Sequence, residues 1–124
     1  MSKNDQVLLE TRLGPGEVTD LSKTKALDLR DAFQYRITVD ADTGSRPSTV
    51  SCGELVLEVR GSDDGEVFDE AHCLQIPVML KQRRKNFVAR TGATRAAVRS
   101  YVKPVVKNHA GNPAVDIRVT GSCR

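Results

Sequence analysis

The residues able to act as soft nucleophiles or metal ligands are few: His72, His109, Cys52, Cys73 and Cys123. His72 and Cys73 are adjacent, so on a regular strand they point to opposite faces and cannot share one metal ion. A Cys–His nucleophile needs a base that orients the thiol and a third group that orients the base. Nothing in the spacing supplies that third group, and His109 stands alone in an expected loop. The cysteine count is odd and contains no Cys-x-x-Cys pair, which predicts reduced thiols. Asp63, Asp64, Glu66, Asp69 and Glu70 carry the oxygens that calcium accepts. They lack the alternating ligand positions and terminal glutamate of an EF-hand loop, so a solvated hairpin is expected instead. Asp40 and Asp42 before Gly44 read likewise as turn formers, since Asx side chains bond nearby backbone. Gly14-Pro15-Gly16 lacks the buried strand and following helix of a phosphate loop. The chemistry-bearing residues thus assign no catalytic site, no metal site and no cofactor.

The basic residues are more informative. Lys81-Gln82-Arg83-Arg84-Lys85 places four cations in five positions, and Arg90 and Arg95 follow. Lys81, Arg83, Arg84, Lys85, Arg90 and Arg95 are therefore the candidate partner-binding residues, suited to phosphates or acidic side chains. Residues 1–70 hold 8 Lys/Arg against 15 Asp/Glu, and residues 71–124 hold 11 against one, so a net charge of +3 hides an acidic half and a basic half. Such a division directs a basic surface at an acidic partner. If strands from the two halves interleave, the charges mix on the folded surface instead. Five aromatics (Phe33, Tyr35, Phe68, Phe87, Tyr101) and no Trp are too few for a base-stacking platform, so sequence-specific nucleic-acid recognition is not expected.

These residues sit on a chain of 124 residues, of a length for one domain, 1–124, with residues 1–6 as an N-terminal arm. No apolar run approaches the ~18 residues of a membrane span, and the first residues show no signal-peptide core. Period-two alternation recurs. Phe33, Tyr35, Ile37 and Val39 alternate with polar residues, as do Leu55, Leu57 and Val59, and Val115, Ile117 and Val119. Val7, Leu9 and Leu13 share a parity, and Ala26 to Leu29 is a short apolar segment. Val98, Val102 and Val106 oppose Arg95, Arg99 and Tyr101, with Pro104 marking a bulge or an edge strand. Turn signals fall at 14–16, 40–47, 62–65 and 108–113, and Asp64-Gly65 predicts a hairpin between Val59 and Phe68. The pattern predicts an all-β antiparallel sandwich with Leu9, Phe33, Tyr35, Ile37, Val39, Leu55, Leu57, Val59, Val98, Val102, Ile117 and Val119 inside.

The order of these segments resembles a known family. A short first strand, a Leu-Asp-Leu segment at 27–29 and a long strand lead to Leu55-Val56-Leu57-Glu58-Val59, which runs into Gly61-Ser62-Asp63-Asp64-Gly65-Glu66-Val67-Phe68. Ala97-Val98-Arg99-Ser100-Tyr101-Val102 and a terminal strand follow. The pattern, over most of residues 7–121, is similar to the small jelly-roll capsid cement (decoration) proteins of tailed bacteriophages. The resemblance implies a jelly-roll sandwich and a non-enzymatic virion protein, made in the host cytoplasm and placed on the capsid exterior. It implies the major capsid protein of the same virus as partner, and a homo-oligomer. Carbohydrate- or ligand-binding β-sandwich modules share the pattern and stand as the alternative, although their sugar faces usually present more aromatic rings.

Overall fold

The computed structural model describes residues 5–43, 53–70, 74–80, 83–90 and 100–124. Lys81, Arg95, Val98, Cys52, His72 and Cys73, singled out above, lie outside them. Eight strands run in order: β1 (Gln6–Leu13), β2 (Leu27–Asp28), β3 (Gln34–Asp42), β4 (Glu54–Ser62), β5 (Leu74–Met79), β6 (Arg84–Arg90), β7 (Tyr101–Asn108) and β8 (Val115–Cys123). They form two antiparallel four-stranded sheets, β1-β8-β3-β6 and β2-β7-β4-β5. The chain crosses between the sheets at nearly every connection, which is the winding of a jelly roll.

Alternation along the strands builds one core between the sheets. Tyr35, Ile37, Val39 and Ala41 from β3 meet Leu55, Leu57 and Val59 from β4, Val102 and Val106 from β7, and Val115, Ile117 and Val119 from β8. Nine of the twelve expected core residues are buried. Leu9 is only partly buried, packed against the cluster. A register shift between Val7 and Leu9 against β8 marks a bulge that turns Leu8 inward as well, beside Leu9. Gly121 makes room for it: a Cβ there would lie 2.8 Å from Leu8 Cδ1. Phe33 is a correction, being 64% exposed. It precedes β3, where its N–H donates to Arg124 O at 2.7 Å, so the parity of Tyr35 continues one step past the strand and out of the core.

Asp40 and Asp42 are a second correction, since they belong to β3 rather than to a turn. The expected 81–85 loop is also shortened, because Arg84 and Lys85 open β6. The hairpin at Asp64-Gly65 is present but wide: β4 and β5 pair across the connection 63–73, Phe68 lies within it, and Gly65 takes φ 81°.

Pro104 lies inside β7 opposite Val59. The N–H groups of Val106 and Asn108 point away from β4, to Thr19 Oγ1 and Glu17 O. By two-residue alternation the nitrogen of Pro104 faces the same way, toward the stretch between the β2 pairing and the Val18–Lys107 bridge. A missing donor there breaks no ladder bond.

One end of the sandwich is tied by Asn108. Its Nδ2 donates to Leu13 O, Gly14 O and Pro113 O at 3.3, 3.1 and 3.1 Å, and its Oδ1 accepts from Asn112 Nδ2 at 3.0 Å. Asn112 also donates to Glu54 O at 2.8 Å. Three chain crossings are fixed at the end where β3 finishes and β6 begins.

Candidate functional site, the outer face of the β1-β8-β3-β6 sheet

The strands that bury Ile37 and Val119 on one face must present their intervening residues on the other. The register sets Glu10 opposite Arg118, Arg118 opposite Asp40, and Asp40 opposite Arg84. One row across the sheet therefore reads acid, base, acid, base. Arg84 Nε is 2.6 Å from Asp40 Oδ1, and Arg118 Nε is 3.6 Å from Glu10 Oε2. The two end side chains, Glu10 and Arg84, are 68% and 65% exposed. Arg12 pairs with Asp116 at 3.1 Å in the next row, and Arg36 with Asp5 at 3.5 Å on the other side. The Arg84 guanidinium is held above its ordinary value by the hydrogen bond and charge of Asp40.

The interleaving of the halves is thus realised on this face. Arg84 and Arg118 from the basic half meet Asp40 and Glu10 from the acidic half, as Lys107 meets Glu58 on the opposite sheet. The pairing was not legible in the sequence, because it depends on which strands become neighbours.

Of the six candidate partner-binding residues, Arg83, Arg84 and Lys85 follow one another at the start of β6, with Arg84 on the outer face opposite Asp40 and Lys85 on the inner parity opposite Val39. Arg83 and Arg84 are exposed and Lys85 is half-buried. Arg90 ends the same strand, and Lys81 and Arg95 lie outside the described residues. Arg83 has φ 63°, a left-handed conformation that costs a non-glycine residue of order 1 kcal/mol. Its N–H donates to Leu80 O at 3.2 Å and its carbonyl accepts from Ala41 N–H at 2.7 Å, so both sides of the turn fix it. Glycine would suit that backbone better. Arg83 lines an open groove of ≈ 530 Å³ with Glu10, Asp40, Asp42, Asp116 and Arg118, floored by Ala41 and Ile117. A smaller depression beside it includes Arg36, Thr38, Arg84 and Asn86.

The remaining candidates are occupied or kept apart. The Asp64 carboxylate accepts from Glu66 N–H and Val67 N–H at 2.9 and 3.0 Å and from Ser62 Oγ at 2.9 Å. These bonds lower its pKa to about 2 and make it a turn cap. Among the described residues no three His, Cys, Asp or Glu side chains are grouped to hold a metal ion. His109 Nε2 lies 3.8 Å from Glu54 Oε1. Cys123 ends β8 while His109 precedes it, which puts them about 25 Å apart at strand rise. The Cys123 thiol donates to Asp28 O at 3.7 Å, and burial followed by the nearby Asp28 charge pushes its pKa up, away from nucleophilic thiolate.

No family model matches the chain, and no curated protein sequence does. Solved structures do. PBSX exported protein XepA superposes with a TM-score of 0.58 at 13% identity, covering 98% of this chain, which spans only 37% of that one. A chain of the Triatoma virus empty capsid gives 0.54 at 9% identity, over 98% of this chain and 88% of that one. PRD1 vertex protein P5 gives 0.50 at 13% identity, over 97% and 73%. At these identities the likeness is one of fold, and the fold is a viral-capsid-like β-sandwich of jelly-roll type.

Proposed function

We propose that the chain is a non-enzymatic structural protein of a virus particle, which binds the outside of the shell formed by the major capsid protein of the same virus and cements neighbouring coat subunits. The observation that carries this reading is the match of almost the whole chain to almost the whole of a Triatoma virus capsid chain, 98% against 88%. Names of virus-particle parts recur in the PRD1 vertex protein. The charged outer face of the β1-β8-β3-β6 sheet is the docking surface in this reading. Arg83 is its leading contact, with Arg84 as a supporting cation toward acidic outer loops of the coat; Lys85 lies on the inner parity opposite Val39, and Lys81, Arg90 and Arg95 are the remaining candidate cations of the same reading. Rim charges govern association rate and salt dependence, and repetition of one modest contact over a shell converts weak binding into lasting attachment.

The test uses particles of the virus that carries this gene, prepared without the protein. Purified chain added back should co-sediment with them to a saturable stoichiometry and be reached by antibody on intact particles. Reversing Arg83, Arg84 and Lys85 to glutamate should slow loading, most at low salt. Failure to co-sediment at any ionic strength removes the reading. Retention of a glycan by a chain that ignores particles would favour the carbohydrate- or ligand-binding module.

A further inference from the structure

The charged row across the outer face has unlike ends. It starts with Glu10 on the edge strand β1 and finishes with Arg84 on the opposite edge strand β6. Inside the row each charge that has two neighbouring strands has an opposite charge on both sides: Arg118 lies between Glu10 and Asp40, and Asp40 between Arg118 and Arg84. Glu10 and Arg84 each have one such neighbour among the described residues. From these placements we infer that a second copy of this chain docks edge to edge, its β1 beside β6 of the first, so that its Glu10 completes the row at Arg84.

Strand direction permits this when the copy is displaced along the row and turned about it to continue the twist of the sheet. All pairs in the sheet are antiparallel, so β1 and β3 run one way and β8 and β6 the other. A copy displaced along the row therefore offers β1 antiparallel to β6, the same relation β3 already has to it. Because β1 Glu10 and β3 Asp40 are both in register with Arg118, an unstaggered displacement sets the incoming Glu10 level with Arg84. A twofold pairing of β6 with itself is disfavoured, since its sequence RKNFVAR holds three cations and no acid and like charges across strands repel.

The bulge at Leu8 tempers the contact. It interrupts β1 on the side of Glu10 toward which β6 would continue, leaving little regular backbone for ladder bonds, as edge strands guarded against aggregation often do. The joint is therefore led by charge, sensitive to salt and weak for a single pair. Being head-to-tail, it propagates until it closes into a ring or continues as a filament. It requires only purified protein, so its outcome is separate from that of the shell experiment.

Sedimentation velocity of the purified chain at low salt decides it. The weight-average mass of wild type should rise with concentration and fall back on adding salt. Arg84→Glu and Glu10→Arg should each weaken association at least tenfold, and their equimolar mixture should recover it, because each joint again sets a cation against an anion. Arg84→Gln and Glu10→Gln, which leave no new charge, should weaken it less, and circular dichroism identifies any variant that has lost the fold. Wild type that stays monomeric at the highest concentration and lowest salt overturns the inference. So does Arg84→Gln that associates as wild type does, which would point to β1 pairing with itself, or a mixture no better than its components.

Discussion

The outer faces of the two sheets both carry charges and treat them differently. On β1-β8-β3-β6 the ion pairs Arg12–Asp116 and Arg118–Glu10 join side chains more than half exposed. On β2-β7-β4-β5 the Glu58 side chain is 2% exposed, with Lys107 Nζ at 2.9 Å and Arg60 Nη2 at 3.0 Å and Gln75 Nε2 at 3.4 Å. The second face is partly covered by the chain itself. Asp69 N–H donates to Gly61 O, Phe68 lies 4.8 Å from Lys103 Nζ, and the Arg30 guanidinium sits 5.3 Å over the Tyr101 ring. A charge that the protein covers serves the fold; charges left in water on a flat sheet contribute little to stability and remain open to a partner.

The contrast is broken most directly at Glu58. Glu58→Ala should destabilise by about 3 kcal/mol, because Arg60 and Lys107 lose a buried counter-charge, with Lys107 relieved in part by turning to water; a urea melt measures it. At the end of the sandwich, Asn108→Ala should cost about 2 kcal/mol by releasing three carbonyls that its amide satisfies.

Acid titration sharpens the comparison. Burial alone would raise the Glu58 carboxyl, but the hydrogen bonds and charges of Lys107 and Arg60 outweigh it and hold it below its ordinary 4.5. A depressed folded pKa means stability present above that value and lost as pH falls through the folded one. The urea midpoint of wild type should therefore drop below pH 4.5, and Glu58→Gln should flatten that part of the curve. By carbon-detected NMR the Asp64 carboxyl should titrate near pH 2, well below an ordinary aspartate. The smallest effects belong to the open face. Arg12→Ala should leave the urea midpoint within experimental error. Arg83→Gly should hold or raise it, since glycine accepts φ 63° without strain.

Alternation was enough to find β3, β4 and β8 and most of the core, because both faces of those strands have settled surroundings. In β1 it placed Leu9 and Leu13 on the inner side but missed Leu8, since a bulge is a property of two paired strands and leaves no mark in one. Phe33 failed for a related reason: parity tells which way a residue points, not where the opposing sheet ends. Asp40 and Asp42 have the composition of a turn, and it is the pairing of β3 with β6 that gives Asp40 the Arg84 side chain as a partner within the sheet. The basic run was visible as charge, yet the burial of Glu58 was not, because in sequence it is one more polar residue at an outward position.

The strand order also fixes a timetable. β1 pairs only with β8, and β2 only with β7, among the described strands. The two segments made first in this fold thus wait for the two made last, while β3–β6 and β4–β5 can join earlier. Closing such long loops before their contacts form slows folding, toward milliseconds to seconds in proteins dominated by distant pairings. During synthesis the apolar side of β1, with Leu8 and Leu13 uncovered, has no companion until nearly the whole domain has emerged, and that interval is when the chain is most open to capture by chaperones or by another unfinished copy.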